Sequence, residues 1–221
     1  MVKSTAQGGL ESLSVNMGNA SVSVPAADFQ AVAGIIKNSA KSLKTLDITV
    51  STDLPVHLLH DEAIFNVATV PFLEEISLTG AVIHSETRQN NCPINLHWLS
   101  RHLETIPISG KKFKKISLHS IIMDGTLVFE EDFDDEGLKW FENLVLNVAL
   151  PQTLSLSVKF TIYANMHDTQ TAETLIKKHL SGLHAQNLLE FDAKVQSDEE
   201  YLLELAEDFV RYEMSDSDSS F

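Results

Sequence analysis

A six-residue phrase recurs along the chain and limits what the chain can fold into. Its pattern is apolar-x-x-apolar-x-apolar, and its first copy runs from Leu10 to Val15. The later copies begin 33, 30, 40, 40 and 35 residues apart, at Leu43, Leu73, Phe113, Thr153 and Leu188. The last two apolar positions of each copy alternate at period two, which predicts a short strand with one buried face.

Segments with the apolar spacing of a helix separate these phrases. They begin near Phe29, Ala63, Leu96, Leu138 and Leu175. Acidic residues such as Asp28 and Asp61 precede several of them, where a carboxylate can cap free amide groups and complement the helix dipole. Each unit therefore predicts a helix, a turn and a strand, and such units stack because one alone cannot cover its own apolar face.

The strand positions that would face away from the core hold no large apolar residue. A doubly wound α/β sheet is covered on both faces, and its strands read as continuous apolar runs. A sheet with one solvent-exposed face instead predicts an α/β solenoid of about six degenerate units, with parallel strands on the concave face and helices on the convex face. We expect a partner to bind the concave face through Asp47, Thr49, Glu75, Ser77, Lys115, Ser117, His119, Ser157, Lys159 and Asp192.

The phrase resembles the L-x-x-L-x-L core of the leucine-rich-repeat family, in four close copies and two looser ones. Long repeats with an outer helix resemble those in the C-terminal regions of F-box proteins, which select substrates for ubiquitin ligases, although no F-box-like segment is present. The family's Asn or Cys, three residues after the last strand leucine, is replaced by Gly18, Ser51, Ala81, Ile121 and Thr161. Only Ser51 and Thr161 carry a side chain that can form a comparable hydrogen bond, so the family's asparagine ladder is absent.

We expect three regions along the chain. Residues 1–195 form the leucine-rich-repeat-like domain, 196–213 a C-terminal capping helix, and 214–221 a disordered, acidic, serine-rich tail. The apolar stripe of the capping helix consists of Tyr201, Leu202, Leu205, Phe209 and Tyr212. No polar capping element precedes Leu10, which predicts that part of a longer protein is missing or that a partner covers that end.

Charge and composition narrow the classes of partner. The formal net charge of -15 disfavours nucleic acid, because phosphate binding needs a surplus of Lys and Arg on one face. No stretch approaches the ~20 consecutive apolar residues of a membrane-spanning helix, and no secretory signal is recognisable. One cysteine, Cys92, forms no internal disulfide, which predicts a cytoplasmic or nuclear protein.

Motifs that would indicate chemistry are lacking, so we expect no enzymatic activity, no metal and no cofactor. The histidines have no third ligand at a defined spacing, and the acidic run 130–136 lacks the glycine and alternating ligands of a calcium loop. The first hypothesis is a scaffold that binds another protein and, by the family resemblance, a substrate-recognition part of an F-box-type ubiquitin-ligase protein. The alternative is an α/β enzyme of unrecognised type, with its site at the carboxyl ends of the strands.

Overall fold

A computed structural model describes the chain over residues 9–17, 26–50, 66–82, 88–89, 92–107, 112–123, 136–164 and 166–195. The capping helix and the acidic tail predicted for 196–221 lie outside these residues, as do the first eight residues. The helical segment predicted near Ala63 also lies mostly outside them. Its last residues form a 3-10 turn, Val67–Thr69, in which the side chain of Asn66 accepts a hydrogen bond from the Ala68 amide.

The part of the chain that the structure describes contains eight strands. In chain order they are β1 (Ser12–Met17), β2 (Thr45–Val50), β3 (Glu75–Val82), β4 (Arg88–Gln89), β5 (Cys92–Pro93), β6 (Lys115–Met123), β7 (Leu156–Ala164) and β8 (Leu189–Val195). Six of them form one parallel sheet in the order β1-β2-β3-β6-β7-β8, and β4 pairs with β5 in an antiparallel hairpin.

Among the described residues, five helices connect or flank the strands. They are α1 (Ala26–Ser39), α2 (Ile94–Glu104), α3 (Glu136–Leu144), α4 (Met166–His179) and α5 (Ser181–Ala185). α3 continues into a π-helical turn, Val145–Ala149, and a 3-10 turn, Leu150–Gln152. Helices α1 to α4 confirm the segments predicted near Phe29, Leu96, Leu138 and Leu175. None of the described helices combines the length and the apolarity needed to span a membrane.

The strand order places the connecting helices on one face of the sheet. Each strand of the six-stranded sheet is followed by its spatial neighbour, and the sheet grows in a single direction from β1 to β8. Because parallel crossovers are right-handed, connections that always step the same way lie on the same face. The chain is therefore an α/β fold with a single parallel sheet that alternates with helices, an arrangement compatible with a solenoid.

The strand register follows the recurring phrase across the first five strands of the sheet. Leu13 pairs with Leu46, Leu46 with Ile76, and Ile76 with Ile116, as the phrase predicts. The pairing departs from the phrase at the sixth copy: the phrase aligns Phe191 with Leu156, 35 residues earlier, whereas Phe191 pairs with Phe160, 31 residues earlier. The two phenyl rings stack with centroids 5.9 Å apart, which favours the observed register. The shift is an even number of residues, so the side chains of β8 stay on the predicted faces.

The core lies between the sheet and the helices. Leu46, Ile48 and Val50 of β2 are each at most 1% exposed, and the same alternation continues through β3, β6 and β7. Ile36 of α1 and Phe141 of α3 cover these strands from the helix layer. One contiguous apolar cluster thus extends through all the repeats, as expected of units that cannot fold alone.

Helix α2 is buried more completely than a helix on the outside of a single layer would be. Five consecutive residues, 96–100, are buried, and they include His97 and Ser100. The β4–β5 hairpin contacts α2 on one side, and α3 packs on another, with the His97 and Trp140 rings 5.1 Å apart.

Candidate functional site

The ten residues predicted to bind a partner lie on one face of the sheet, opposite the core. We call this the outer face. On β2, for example, Asp47 and Thr49 alternate with the buried residues Leu46, Ile48 and Val50. Parallel pairing in register carries the same alternation across the sheet, which also places Asn16, Thr79, Thr161 and Glu190 on the outer face.

Two rows of side chains cross this face at right angles to the strands. The register aligns Ser14, Asp47, Ser77, Ser117 and Ser157 in the first row. It aligns Asn16, Thr49, Thr79, His119, Lys159 and Glu190 in the second. Neighbouring members of a row stand about 4.8 Å apart, the spacing of paired strands. The face is therefore a platform of short hydroxyl side chains, with its larger polar groups toward β6, β7 and β8.

At the β8 end the larger side chains are engaged with one another. The Lys159 ammonium donates to the Asp192 carboxylate at 3.2 Å, and Lys194 lies 3.3 Å from the same carboxylate. The Ser157 hydroxyl donates to the Glu190 carboxylate at 3.1 Å. Hydrogen bonds from Lys159 and then Lys194 hold the pKa of Asp192 below its ordinary value, so this carboxylate stays ionised.

His119 belongs to the same cluster. Its Nε2 lies 2.9 Å from the Thr161 hydroxyl. Burial is the largest cause that lowers the pKa of His119, the positive charge of Lys159 lowers it further, and Asp192 opposes both. The imidazole is therefore neutral at pH 7 and is held in one orientation by Thr161.

The His119–Thr161 hydrogen bond has the geometry of a base beside a hydroxyl nucleophile, but its burial argues against that role. Thr161 is only 4% exposed, so a substrate cannot approach its hydroxyl oxygen. The sequence interpretation gave Thr161 the place of the family's ladder residue. β7 continues to Ala164, so position 161 instead alternates onto the outer face. The hydrogen bond to Thr161 therefore fixes the orientation of the His119 side chain on the outer face.

At the other end of the outer face, two side chains of β1 and β2 are joined by a hydrogen bond. The Ser14 hydroxyl donates to the Asp47 carboxylate at 3.0 Å, and the two residues are direct register partners on β1 and β2. Asp47 is thus available to a partner only through its remaining lone pairs.

Between these two ends lies a central tract whose side chains point to solvent. It consists of Thr49, Glu75, Ser77, Thr79, Lys115 and Ser117. No hydrogen bond joins any of these six side chains to another described residue, and all six are partly or fully exposed. Glu75 and Lys115 are register partners, so one acid and one base stand side by side at one border of the central tract.

A row of alternating charges borders the tract where the strands begin. Glu11, Lys44, Glu74 and Lys114 occupy matching positions before four neighbouring strands, each joined to the next by a backbone hydrogen bond. Lys44 pairs with Glu11 at 2.9 Å and Lys114 with Glu74. Such exposed pairs add little stability. The fifth position of this row is Leu154, a large apolar side chain that is 73% exposed.

The described residues contain no group of three or more His, Cys, Asp or Glu side chains that could hold a metal ion. Of the ten predicted residues, the structure brings five into the central tract: Thr49, Glu75, Ser77, Lys115 and Ser117. The side chains of the other five form hydrogen bonds with neighbouring side chains at the two ends of the tract: Asp47, His119, Ser157, Lys159 and Asp192. The sequence interpretation could not distinguish these groups, because pairing depends on side-chain geometry across strands.

Comparison with known proteins adds no assignment. A scan of the chain against protein-family models found no match, and searches of curated proteins and of solved structures found none either.

Proposed function

We propose that this chain is a protein-binding scaffold of the leucine-rich-repeat type, and that its partner lies across the outer face with the central tract at the middle of the contact. The observation that carries the proposal is the contrast between the unpartnered side chains of the tract and the paired ones that flank it. A partner that bonds to the tract breaks no hydrogen bond between described residues, whereas one that bonds to Lys159 or Asp192 must compete with an existing ion pair.

The area of the outer face limits how much of the partner's surface it can contact. Six strands spaced about 4.8 Å apart, with about 3.3 Å per residue along each strand, give a platform of roughly 500 to 600 Å². This is smaller than the roughly 800 Å² that each partner contributes to a stable protein interface. The contact therefore extends beyond the hydroxyl rows to the bordering charge row, where Leu154 is the large apolar anchor.

The chemistry of the tract defines the complementary surface. Four hydroxyl groups offer donors and acceptors, and each hydrogen bond contributes a net ~0.5–1.5 kcal/mol. The adjacent Glu75 and Lys115 favour a partner with a base and an acid side by side in the reverse order. Charges of both signs alternate over the face, so it lacks the basic surplus that binds phosphate groups.

The family resemblance adds a finer proposal. The repeat regions of F-box proteins hold substrates for ubiquitin ligases, and we extend that role to this chain: the bound protein is a ligase substrate, met in the cytoplasm or nucleus. The alternative, an α/β enzyme, would place its site at the carboxyl ends of the strands. Most residues that follow those ends lie outside the described part of the chain, and none of the described side chains favours this alternative.

The test is affinity purification of the endogenously tagged protein. Mass spectrometry identifies the proteins that co-purify, and the mass of the tagged species is compared with the 24.5 kDa of the chain. The proposal expects one stable protein partner, and the finer proposal expects ubiquitin-ligase subunits beside it. Recovery of a partner without ligase subunits would retain the scaffold and remove the F-box-type role. If no protein co-purifies under conditions that preserve a known complex from the same cells, the scaffold proposal is wrong.

A further inference from the structure

Two large apolar side chains of the described residues are exposed, and they lie at the same edge of the sheet. Phe72 is 54% exposed and Leu154 is 73% exposed. Phe72 stands just ahead of β3 and Leu154 just ahead of β7, so both belong to the edge where the strands begin. Single exposed apolar side chains are common on protein surfaces. Two of them at one edge, separated only by β6, form a candidate contact surface.

Backbone hydrogen bonds hold the chain at both of these positions. The Leu154 amide donates to the carbonyl oxygen of Phe113 at 2.9 Å. Phe72 lies within a turn in which the Leu73 amide donates to the Val70 carbonyl oxygen at 3.2 Å, and Leu73 itself is 1% exposed. A side chain on an ordered backbone loses less conformational freedom on binding than one on a loop that must first be ordered. Phe72 and Leu154 are therefore suited to act as apolar anchors.

A lysine-rich segment stands between the two anchors, at the start of β6. Residues 111–115 read Lys-Lys-Phe-Lys-Lys, and the neighbouring segment before β3 contributes two acids, Glu74 and Glu75. Lys112 is exposed, and no ion pair or hydrogen bond joins its side chain to another described residue. The hydrogen bond to Glu74 raises the pKa of Lys114 above its ordinary value, so Lys114 stays charged. Four lysines and two glutamates leave a local surplus of positive charge.

We infer that this basic edge, made of Phe72, Lys112, Lys114 and Leu154, binds an acidic segment of the partner protein in which two apolar residues flank a pair of carboxylates. The inference rests on the proposed function, because it specifies the partner's chemistry at the border of the central tract. Two steps between strands place Phe72 and Leu154 about 10 Å apart along the edge. Residues i and i+3 of an extended polyproline-II segment lie on the same side and about 9 Å apart. The pattern apolar-acid-acid-apolar therefore matches the edge in spacing and in charge.

The net charge of the chain favours a narrow acidic segment over an anionic membrane. Charges more than ~8 Å from a contact are largely screened at physiological ionic strength, so the local surplus at the basic edge decides whether a carboxylate is attracted. An extended segment meets that edge alone. A flat anionic membrane would also face the rest of a chain whose formal charge is -15, and would be repelled by it.

An NMR titration of the isotope-labelled full-length chain tests the inference with three peptides of equal length. Their central residues are Leu-Glu-Glu-Leu, Ser-Glu-Glu-Ser and Leu-Lys-Lys-Leu. The first peptide should shift the amide resonances of Phe72, Lys112, Lys114 and Leu154, and it should bind at least about tenfold more tightly than either control, since each control lacks one class of contact. Absence of shifts at this edge up to millimolar peptide, or equal affinity for Leu-Lys-Lys-Leu, would overturn the inference.

Reversal of the charge at the basic edge provides a second test. Lys112→Glu/Lys114→Glu leaves the central tract intact, and loss of the exposed pair with Glu74 costs little stability, so thermal unfolding should stay near that of the wild type. Lys139→Glu/Lys178→Glu makes the same charge change at exposed positions of α3 and α4. The first variant should lose the Leu-Glu-Glu-Leu peptide and bind Leu-Lys-Lys-Leu instead, while the second keeps the wild-type preference. The same preference in both variants contradicts the inference.

The peptide titration needs no natural partner, so its failure is separate from a failure of the proposed function. A partner that is lost by Ser77→Arg/Ser117→Arg but binds Lys112→Glu/Lys114→Glu as tightly as the wild type would retain the outer face as the binding surface and exclude the acidic segment. Loss of the partner by Lys112→Glu/Lys114→Glu, together with the peptide shifts, supports it. Binding to phosphatidylserine vesicles that this variant abolishes, without peptide shifts, would make a membrane the occupant and overturn the inference.

Discussion

The Nδ1 atom of His102 lies 2.9 Å from the carbonyl oxygen of Trp98, one turn earlier in α2. His102 is 1% exposed, and its ring packs against the Trp98 indole with centroids 4.5 Å apart. Burial lowers the pKa of His102 from 6.5 to about 4, and the hydrogen bond to Trp98 only partly opposes this effect. The imidazole is thus neutral in the folded protein.

The first prediction is a loss of stability in acid that originates at His102. The folded pKa is depressed, so the unfolded chain binds more protons between pH 6.5 and 4, and stability falls as the pH falls through that window. The contribution of this one group is about 3 kcal/mol. Urea unfolding of His102→Gln should show a flatter dependence on pH in that window than urea unfolding of the wild type. A wild-type slope in His102→Gln would contradict the assignment.

The second prediction concerns the core of the repeats. Leu46 occupies the fourth position of the phrase and is fully buried, whereas Leu154 is 73% exposed. Leu46→Ala should lower the free energy of unfolding by about 2–5 kcal/mol, since it leaves a cavity between the sheet and the helices. Leu154→Ala makes the same chemical change in solvent and should stay within about 0.5 kcal/mol. Denaturant unfolding of both variants checks the contrast, which fails if the two losses are equal.

The third prediction follows from the charges around His119. Lys159 lowers the pKa of His119 and Asp192 raises it. Lys159→Met should therefore raise the pKa of His119, and Asp192→Asn should lower it. Both shifts can be read from the imidazole proton resonances in an NMR titration of the folded protein. Shifts in the same direction in both variants would show that these two charges do not act on His119 as the contacts indicate.

The fourth prediction assigns Leu154 to the edge of the partner contact. Leu154→Asp places a charge where the proposal expects an apolar contact, but it changes nothing inside the protein, because this side chain is largely exposed. We expect at least about tenfold weaker binding of the recovered partner with unchanged thermal unfolding. Unchanged affinity would exclude Leu154 from the contact and confine the partner to the hydroxyl rows.

Much of the fold could be predicted from the sequence, because the alternation of apolar and polar residues within each strand indicates that strand. Leu46 and Ile48 alternate with Asp47 and Thr49, and parallel pairing repeats that pattern in every unit. The register of β8 could not be predicted in this way. In the observed register, the first and fourth positions of the phrase, Thr153 and Leu156 in the fifth copy, correspond to His184 and Asn187, which are not apolar. The stacking of Phe191 on Phe160 favours this pairing instead.

The outer face was predictable only as a set of residues. Alternation along a strand shows which side of the sheet a residue occupies, and the strand register then brings Ser77 beside Ser117 and His119 beside Lys159. Which polar groups bond to one another depends on side-chain reach between strands. The separation of the central tract from its paired flanks therefore emerges only in three dimensions, as does the His119–Thr161 contact.

Binding by the outer face is tested most directly by a comparison of two double variants of the tagged chain. Ser77→Arg/Ser117→Arg fills the central tract with long side chains, and Asn143→Arg/Thr174→Arg adds the same charge at exposed positions of α3 and α4. Affinity purification should recover the partner with the wild type and the second variant but not with the first, while all three unfold at the same temperature. Retention of every partner by Ser77→Arg/Ser117→Arg would show that the outer face is not the binding surface.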